Sequence, residues 1–228
     1  MGYIMTKKRI DLIIFDVDGL MLDTESVWQK AWTITGQTMG YDDLGQTLFL
    51  KLVGISGKAV EDIVYHDIPD PTKAHYILDH ARSLGMELLK TELKPKKGVV
   101  EFLDYLDALP IKVAVATTTA RDLTNERLNR LELTSHFNCI VCGDEVAKRK
   151  PDPEIYLKVL DHTMVKPERA LVFEDSIVGV QAASHAHIDV IQIPDLIPAN
   201  DLTRSLSVAI LDSMDQAKDY INDHYQMV

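Results

Sequence analysis

The segment LIIFDVDGLMLDTE places Asp16, Asp18, Asp23 and Glu25 within ten positions, directly behind an apolar run. Carboxylates crowded in this way repel one another unless a divalent cation sits among them. A second acidic pair, Glu174 and Asp175, closes the apolar run ALVFE. Hydroxyls follow a third run in VAVATTTA, at Thr117, Thr118 and Thr119, and Lys150 in KRKPDP stands just ahead of a helical pattern. Carboxylates able to hold a divalent ion, a hydroxyl donor and a lysine are the groups needed to grip a phosphoryl group and neutralise its charge in the transition state. Oxygen donors with no nearby histidine favour Mg2+. Taken singly, each has a plainer role as a turn former, a buried strand end or a solvated surface cation. Their order at successive strand ends is what points to a site.

The elements that must position these groups are legible as five short β-branched or apolar runs, IDLIIF, IKVAVA, FNCIVC, ALVFE and DVIQI. Helical patterns separate the later ones. One carries Thr124, Leu128 and Leu131 on a face; another carries Ile155, Tyr156, Val159 and Leu160, with Asp152 and Pro153 placed as N-cap and first helical residue. Strands alternating with helices predict an α/β fold with a doubly wound parallel sheet, a Rossmann-like core that binds ligands beyond the carboxyl ends of its strands. Between LIIF and IKVAVA the rhythm breaks for a long, mostly helical interval, with Ala74, Ile77, Leu78, Ala81 and Leu88 on one helical face. An insertion of that length is expected to be a small α-helical domain, here residues 23–96, inserted into a core formed by 1–22 and 97–228. Pro95 and Gly98 in KPKKG supply the break at its second edge.

Composition excludes several classes. With 24 Lys and Arg against 35 Asp and Glu, the net charge of -11 has the wrong sign for a general nucleic-acid or anionic-membrane binder. Cys139 and Cys142 lie in a strand-like segment without a second ligand pair, which reads as two thiols in a reducing compartment. An ion-binding loop of the EF-hand kind starting at Asp16 needs Gly at 21 and Glu at 27, where the chain has Met21 and Val27. There is no GxGxxG, and GISGK is too short for a phosphate loop. His185 and His187 follow a helix with no evident carboxylate partner, a poor metal pair. MGYIMTKKRI is too short and too soon charged for a signal peptide, although Gly2 and Thr6 satisfy the loose N-myristoylation pattern. The expectation is a soluble cytoplasmic protein that needs no nucleic acid, no membrane and no more than a monomer.

DVDGLMLDTE, ATTT, KPDPEIY and VFEDSIVGVQAA, in this order and spacing, resemble the motifs of the haloacid dehalogenase-like superfamily, within it the group similar to β-phosphoglucomutase and small-molecule phosphatases with a helical cap. The resemblance spans nearly the whole chain. It implies that Asp16 is the nucleophile that becomes phosphorylated and that Asp18 is the general acid and base. It further implies Mg2+ held by the Asp16 carboxylate, the Asp18 backbone carbonyl and Asp175, with Glu174 as a further acidic contributor. Thr117 would hydrogen-bond the phosphoryl oxygens with help from the Thr118 amide, and Lys150 would offset their charge.

Departures from the resemblance bear on the substrate. Trp28 stands where β-phosphoglucomutase carries a histidine, and Gly57, with Lys58 beside it, where that enzyme grips a second phosphate with arginine. A weakened second phosphate site favours a phosphatase of a small metabolite, such as a sugar or polyol phosphate, over the alternative, a hexose-phosphate mutase. A phospho-accepting signalling domain shares the acidic pocket, but it lacks the helical insert and has no use for Asp18. Glu25, Trp28, Trp32 and Lys58 are the candidate substrate contacts of the insert; the alternative for Trp28, and more so for Trp32 one helical turn on, is that they pack its core.

Overall fold

Leu12, Ile13, Ile14 and Phe15 are all buried, as a strand covered on both faces requires. The computed structural model describes residues 7–55 and 57–227, so the Gly2–Thr6 pattern lies outside the described residues. Its strands are β1 Lys8–Ile10, β2 Leu12–Phe15, β3 Lys112–Ala116, β4 Cys139–Val141, β5 Ala170–Glu174, β6 Asp189–Gln192, β7 Ala209–Ile210 and β8 Tyr225–Met227. Six of them form one parallel sheet in the order β4-β3-β2-β5-β6-β7, while β1 and β8 pair separately, also in parallel. The fold is thus the α/β, doubly wound type. β7 and β8 have no counterpart among the five runs, and β1 shares only Ile10 with one of them, because two or three partly exposed residues carry no readable alternation. The run IDLIIF is cut at Asp11, which pairs with Arg9 and Arg169 outside the main sheet.

The chain separates into two compact units, one containing the described residues up to Met21 and from Pro95 onward, the other Leu22–Lys94. In the first, side-chain alternation sends Leu12, Ile14, Ala114 and Val172 to one face of the sheet, where helices α7 (Glu154–Thr163) and α8 (Ile177–His185) cover them. On the other face Phe15 stacks on Phe173 at 5.3 Å between ring centres, and Phe102 of α5 (Val99–Asp107) meets both edge-on. Helix α6 (Arg121–Arg130) follows β3. The Asp152 carboxylate accepts the Glu154 N–H at 3.0 Å, so it serves the start of α7 from one position further out than the sequence suggests, Pro153 being the N-cap.

The second unit comprises α1 (Thr24–Thr38), α2 (Leu48–Leu52), α3 (Lys58–Asp67) and α4 (Pro71–Glu92). Asp70 caps α4 by accepting from the Thr72 and Lys73 N–H groups, and Pro71 begins it. Ala74, Ile77, Leu78, Ala81, Gly85 and Leu89 form its buried stripe. Each unit closes its own chain ends. Lys96 N–H donates to Met21 C=O at 2.8 Å in the first, and Asp23 N–H to Lys94 C=O at 3.0 Å in the second. No helix among the described residues is long and apolar enough to cross a membrane.

Candidate active site

Pairing of β2 with β3 and with β5 aligns Phe15 with Val115 and with Phe173, so the residues that follow leave the sheet along one edge. Strand order reverses here. The chain moves outward through β3 and β4, then returns to place β5 beside β2, the crevice in which doubly wound sheets bind ligands. Asp16, Thr117, Glu174 and Asp175 are brought to that edge by register alone.

Lys150 ties the edge together. Its Nζ donates to Asp16 Oδ1 at 2.6 Å, to Glu174 Oε1 at 2.6 Å and to the Ala116 carbonyl at 2.9 Å. Burial pushes the Asp16 carboxyl up to about 7 against the pull of the Lys150 ammonium, and the neighbouring Glu174 and Asp18 charges push the same way as burial. Burial also works against the Lys150 charge, but Asp16 and Glu174 outweigh it and hold the ammonium well above its usual value. Among the described residues no side chain donates to Asp16 Oδ2.

Glu174 is fully buried and fully engaged. Oε1 accepts from Lys150 and from the Tyr156 hydroxyl at 2.8 Å; Oε2 accepts from the Ser176 N–H at 3.1 Å and the Ser176 hydroxyl at 3.0 Å. Ser176 simultaneously caps α8, its Oγ accepting the Gly179 N–H. A side chain at Gly179 would put its Cβ 1.8 Å from Glu174 Oε1, so glycine is required for α8 to lie this close. The expectation that Glu174 contributes to a metal site differs from this arrangement. Both of its oxygens are turned inward onto protein donors.

Asp18 is clamped as well, with Oδ2 accepting from the Thr119 hydroxyl at 2.6 Å and Oδ1 from Arg127 Nη1 at 2.7 Å. Arg127 lies in α6 and is only 6 % exposed. No motif rule flags it, although it falls three residues after Thr124 on the face that the helical pattern assigns to the core. Thr117 Oγ1 accepts the Thr119 N–H at 3.1 Å, which fixes the hydroxyl and leaves its proton to donate outward. Thr118 is exposed, with its backbone packed where a Gly143 side chain would otherwise stand.

Gly19 turns the chain after Asp18 with φ +84, and a Cβ there would fall 2.5 Å from Asp175 Oδ2 and 3.5 Å from Asp195 Oδ2. This glycine therefore leaves the hollow into which Asp175 reaches. Asp195, paired with Lys96, is a further carboxylate beside it that no motif had marked. The donors that the resemblance assigns to an ion, the Asp16 and Asp175 carboxylates with the Asp18 carbonyl, are all hard oxygens, and Mg2+ commonly keeps waters beside one or two carboxylates. The residues present fit that ion. Among the described residues the His, Cys, Asp and Glu groups that converge within 4.8 Å are instead Asp104, Asp107 and His136, mostly exposed and away from these strand ends.

In the helical unit, Glu25 sits in the first turn of α1, and Lys58 opens α3, exposed, after Gly57 at φ +67. Trp28 is half-buried with its ring against Gly85 of α4, where a Cβ would come within 2.1 Å of it. Trp32 packs 6.5 Å from Phe49. Of the two readings of Trp28, this contact is the packing one. Cys139 and Cys142 are free thiols whose pKa burial raises. His185 Nδ1 lies 3.0 Å from the Pro151 carbonyl, and His187 takes the left-handed conformation (φ +59) that glycine commonly supplies after a helix.

The family described as haloacid dehalogenase-like hydrolase matches residues 13–193. A Thermotoga maritima protein named phosphorylated carbohydrates phosphatase is 34% identical over 180 residues, 79% of this chain and 83% of its own. A Thermotoga maritima structure of the β-phosphoglucomutase-like kind superposes with a TM-score of 0.79 at 29% identity, covering 94% of this chain and 99% of the other. The structure of CbbY from Rhodobacter sphaeroides in complex with phosphate gives 0.69 at 26% identity, over 91% and 96%.

Proposed function

The chain belongs to the haloacid dehalogenase-like hydrolases and is a phosphoric monoester hydrolase, and from that premise we propose that it is an Mg2+-dependent phosphatase of a small phosphorylated sugar or polyol, acting through phospho-Asp16. The observation that carries this reading is the Lys150 bridge between Asp16 and Glu174 at the switch point of the sheet. It holds one oxygen of a buried carboxylate and leaves the other to attack phosphorus.

Asp16 Oδ2 forms the new bond to phosphorus while the ester P–O bond breaks, and Asp18 gives its proton to the departing oxygen. Asp18, again a carboxylate, then takes a proton from the water that hydrolyses the acyl phosphate. Thr117 donates its hydroxyl, Thr118 its amide and Lys150 its charge to the phosphoryl oxygens. Mg2+ held by Asp16, Asp175 and the Asp18 carbonyl would neutralise charge on the transferring group. Glu174 orients Lys150 rather than holding the ion. Glu25 and Lys58 are the proposed substrate contacts of the helical unit. The name of the Thermotoga maritima relative supports the sugar class of substrate.

Phosphate release from sugar, polyol and nucleoside monophosphates, with and without Mg2+, tests the proposal. Metal-dependent release from the wild type and none from Asp16→Asn is expected. A wild type inert to every compound, an aryl phosphate included, would overturn it.

A further inference from the structure

Arg127 is a guanidinium almost wholly removed from water, a placement that is costly unless the charge is paired. Its guanidinium donates to Asp18 Oδ1 at 2.7 Å, where the side chains of Arg127 and Asp18 are 7% and 22% exposed. Thr119 grips the other oxygen of the same carboxylate. Helix α6 and the turn that starts it thus hold one acidic side chain by both oxygens, from two directions. Thr119 is itself tied to Thr117, because its N–H donates to the Thr117 hydroxyl. The orientation of Asp18 and that of the phosphoryl-facing hydroxyl are set by one short piece of backbone.

We propose that Arg127, together with Thr119, is a positioning residue that aims the Asp18 carboxylate for proton transfer to the leaving group; this rests on the reading of Asp18 as general acid given above. The two partners divide the work. Arginine has only donors, so it fixes Oδ1 as an acceptor. A hydroxyl can donate or accept, so Thr119 can stay bonded to Oδ2 whether or not that oxygen bears a proton. Oδ2 is therefore the oxygen that exchanges with the departing alkoxide. In that step the Asp16–P bond forms, the ester P–O bond breaks, and the proton moves from Asp18 to the ester oxygen.

A role through Asp18 has a signature that mere support of the fold lacks. An alkyl phosphate has a poor leaving group and depends on the general acid, whereas p-nitrophenyl phosphate leaves as a stable phenolate and hardly does. The quantity to measure is kcat/KM, which covers the steps up to phosphoenzyme formation, for the best alkyl phosphate of the panel and for p-nitrophenyl phosphate. General acid catalysis is worth about 10²–10⁴-fold, so Arg127→Met is expected to lower the alkyl-to-aryl ratio by about tenfold or more. Arg127→Lys should recover part of the ratio, and Arg127→Met should change it no further when Asp18 is already Asn. Should Arg127→Met fail to fold, Thr119→Val and Arg127→Lys carry the test with a smaller drop in the same direction. A ratio unchanged in these variants, with both substrates slowed equally or not at all, overturns the inference. A wild type that hydrolyses neither compound instead overturns the phosphatase reading itself.

Discussion

Replacing Asp16, the proposed nucleophile, should make the metal-free protein more stable. Asp16 is 7% exposed, and its carboxyl is raised from 3.8 to about 7, chiefly by burial. A raised carboxyl contributes full stability below the unfolded value of about 3.8 and loses it as pH climbs to the folded value, because the unfolded chain ionises first. At about 1.4 kcal/mol for every pH unit, the span from 3.8 to about 7 comes to about 4 kcal/mol lost by pH 8. Asp16→Asn keeps the shape and an oxygen to accept from Lys150, whose charge Glu174 still pairs, but never ionises, so it avoids that loss. Urea unfolding in EDTA at pH 4, 6 and 8 measures it. Asp11 and Glu145, whose values are lowered because paired arginines outweigh burial, tilt the pH dependence the other way, but equally in both proteins. The difference between variant and wild type should therefore grow from near zero at pH 4 to about 4 kcal/mol at pH 8. Mg2+ should narrow it by stabilising the wild type alone. A variant no more stable than wild type at pH 8, or a difference that does not change with pH, would refute the account of Asp16.

Glu174→Gln must turn an amide N–H₂ toward one of the two donor pairs facing Glu174 and removes a buried charge partner of Lys150; a loss of about 3 kcal/mol is expected by denaturant unfolding. Tyr156→Phe deletes a single hydrogen bond to the same carboxylate and should cost about 1 kcal/mol. Gly19→Ala forces a side chain into a left-handed turn and against Asp175, so calorimetric Mg2+ affinity should fall by about tenfold or more, the size seen when metal-ligand support is disturbed. Gly85→Ala drives a methyl into the Trp28 ring; about 1–3 kcal/mol of destabilisation, with a changed tryptophan emission, should follow.

The strand ends were legible because parallel strands buried on both faces carry unbroken apolar runs, and ALVFE and LIIF needed no context to be read. Register then brought Asp16, Thr117 and Glu174 together without further instruction. The direction in which each side chain turns was not legible. Glu174 and Asp175 are neighbours in sequence, yet strand alternation sends one into the core toward Tyr156 and the other toward Gly19. Arg127 escaped notice because an arginine on a helix is read as solvated, and only the acid opposite it makes burial tolerable. Asp195 escaped because its partner, Lys96, is distant in sequence. β1, β7 and β8 are held by pairing rather than by any pattern of their own.

The two hydrogen bonds that close the chain ends, Lys96 to Met21 and Asp23 to Lys94, also bear on polymer statistics. β2 and β3 pair across the whole inserted segment, which makes their contact one of high sequence separation. If the segment Leu22–Lys94 folds first and brings its own ends together, the contour that must still close between Phe15 and Lys112 shrinks roughly fourfold, lowering the entropic cost of closure by about 1 kcal/mol. We expect the insert to act as an internal staple during folding, so that loosening it at Gly85 slows refolding of the sheet although no residue of the sheet has been touched.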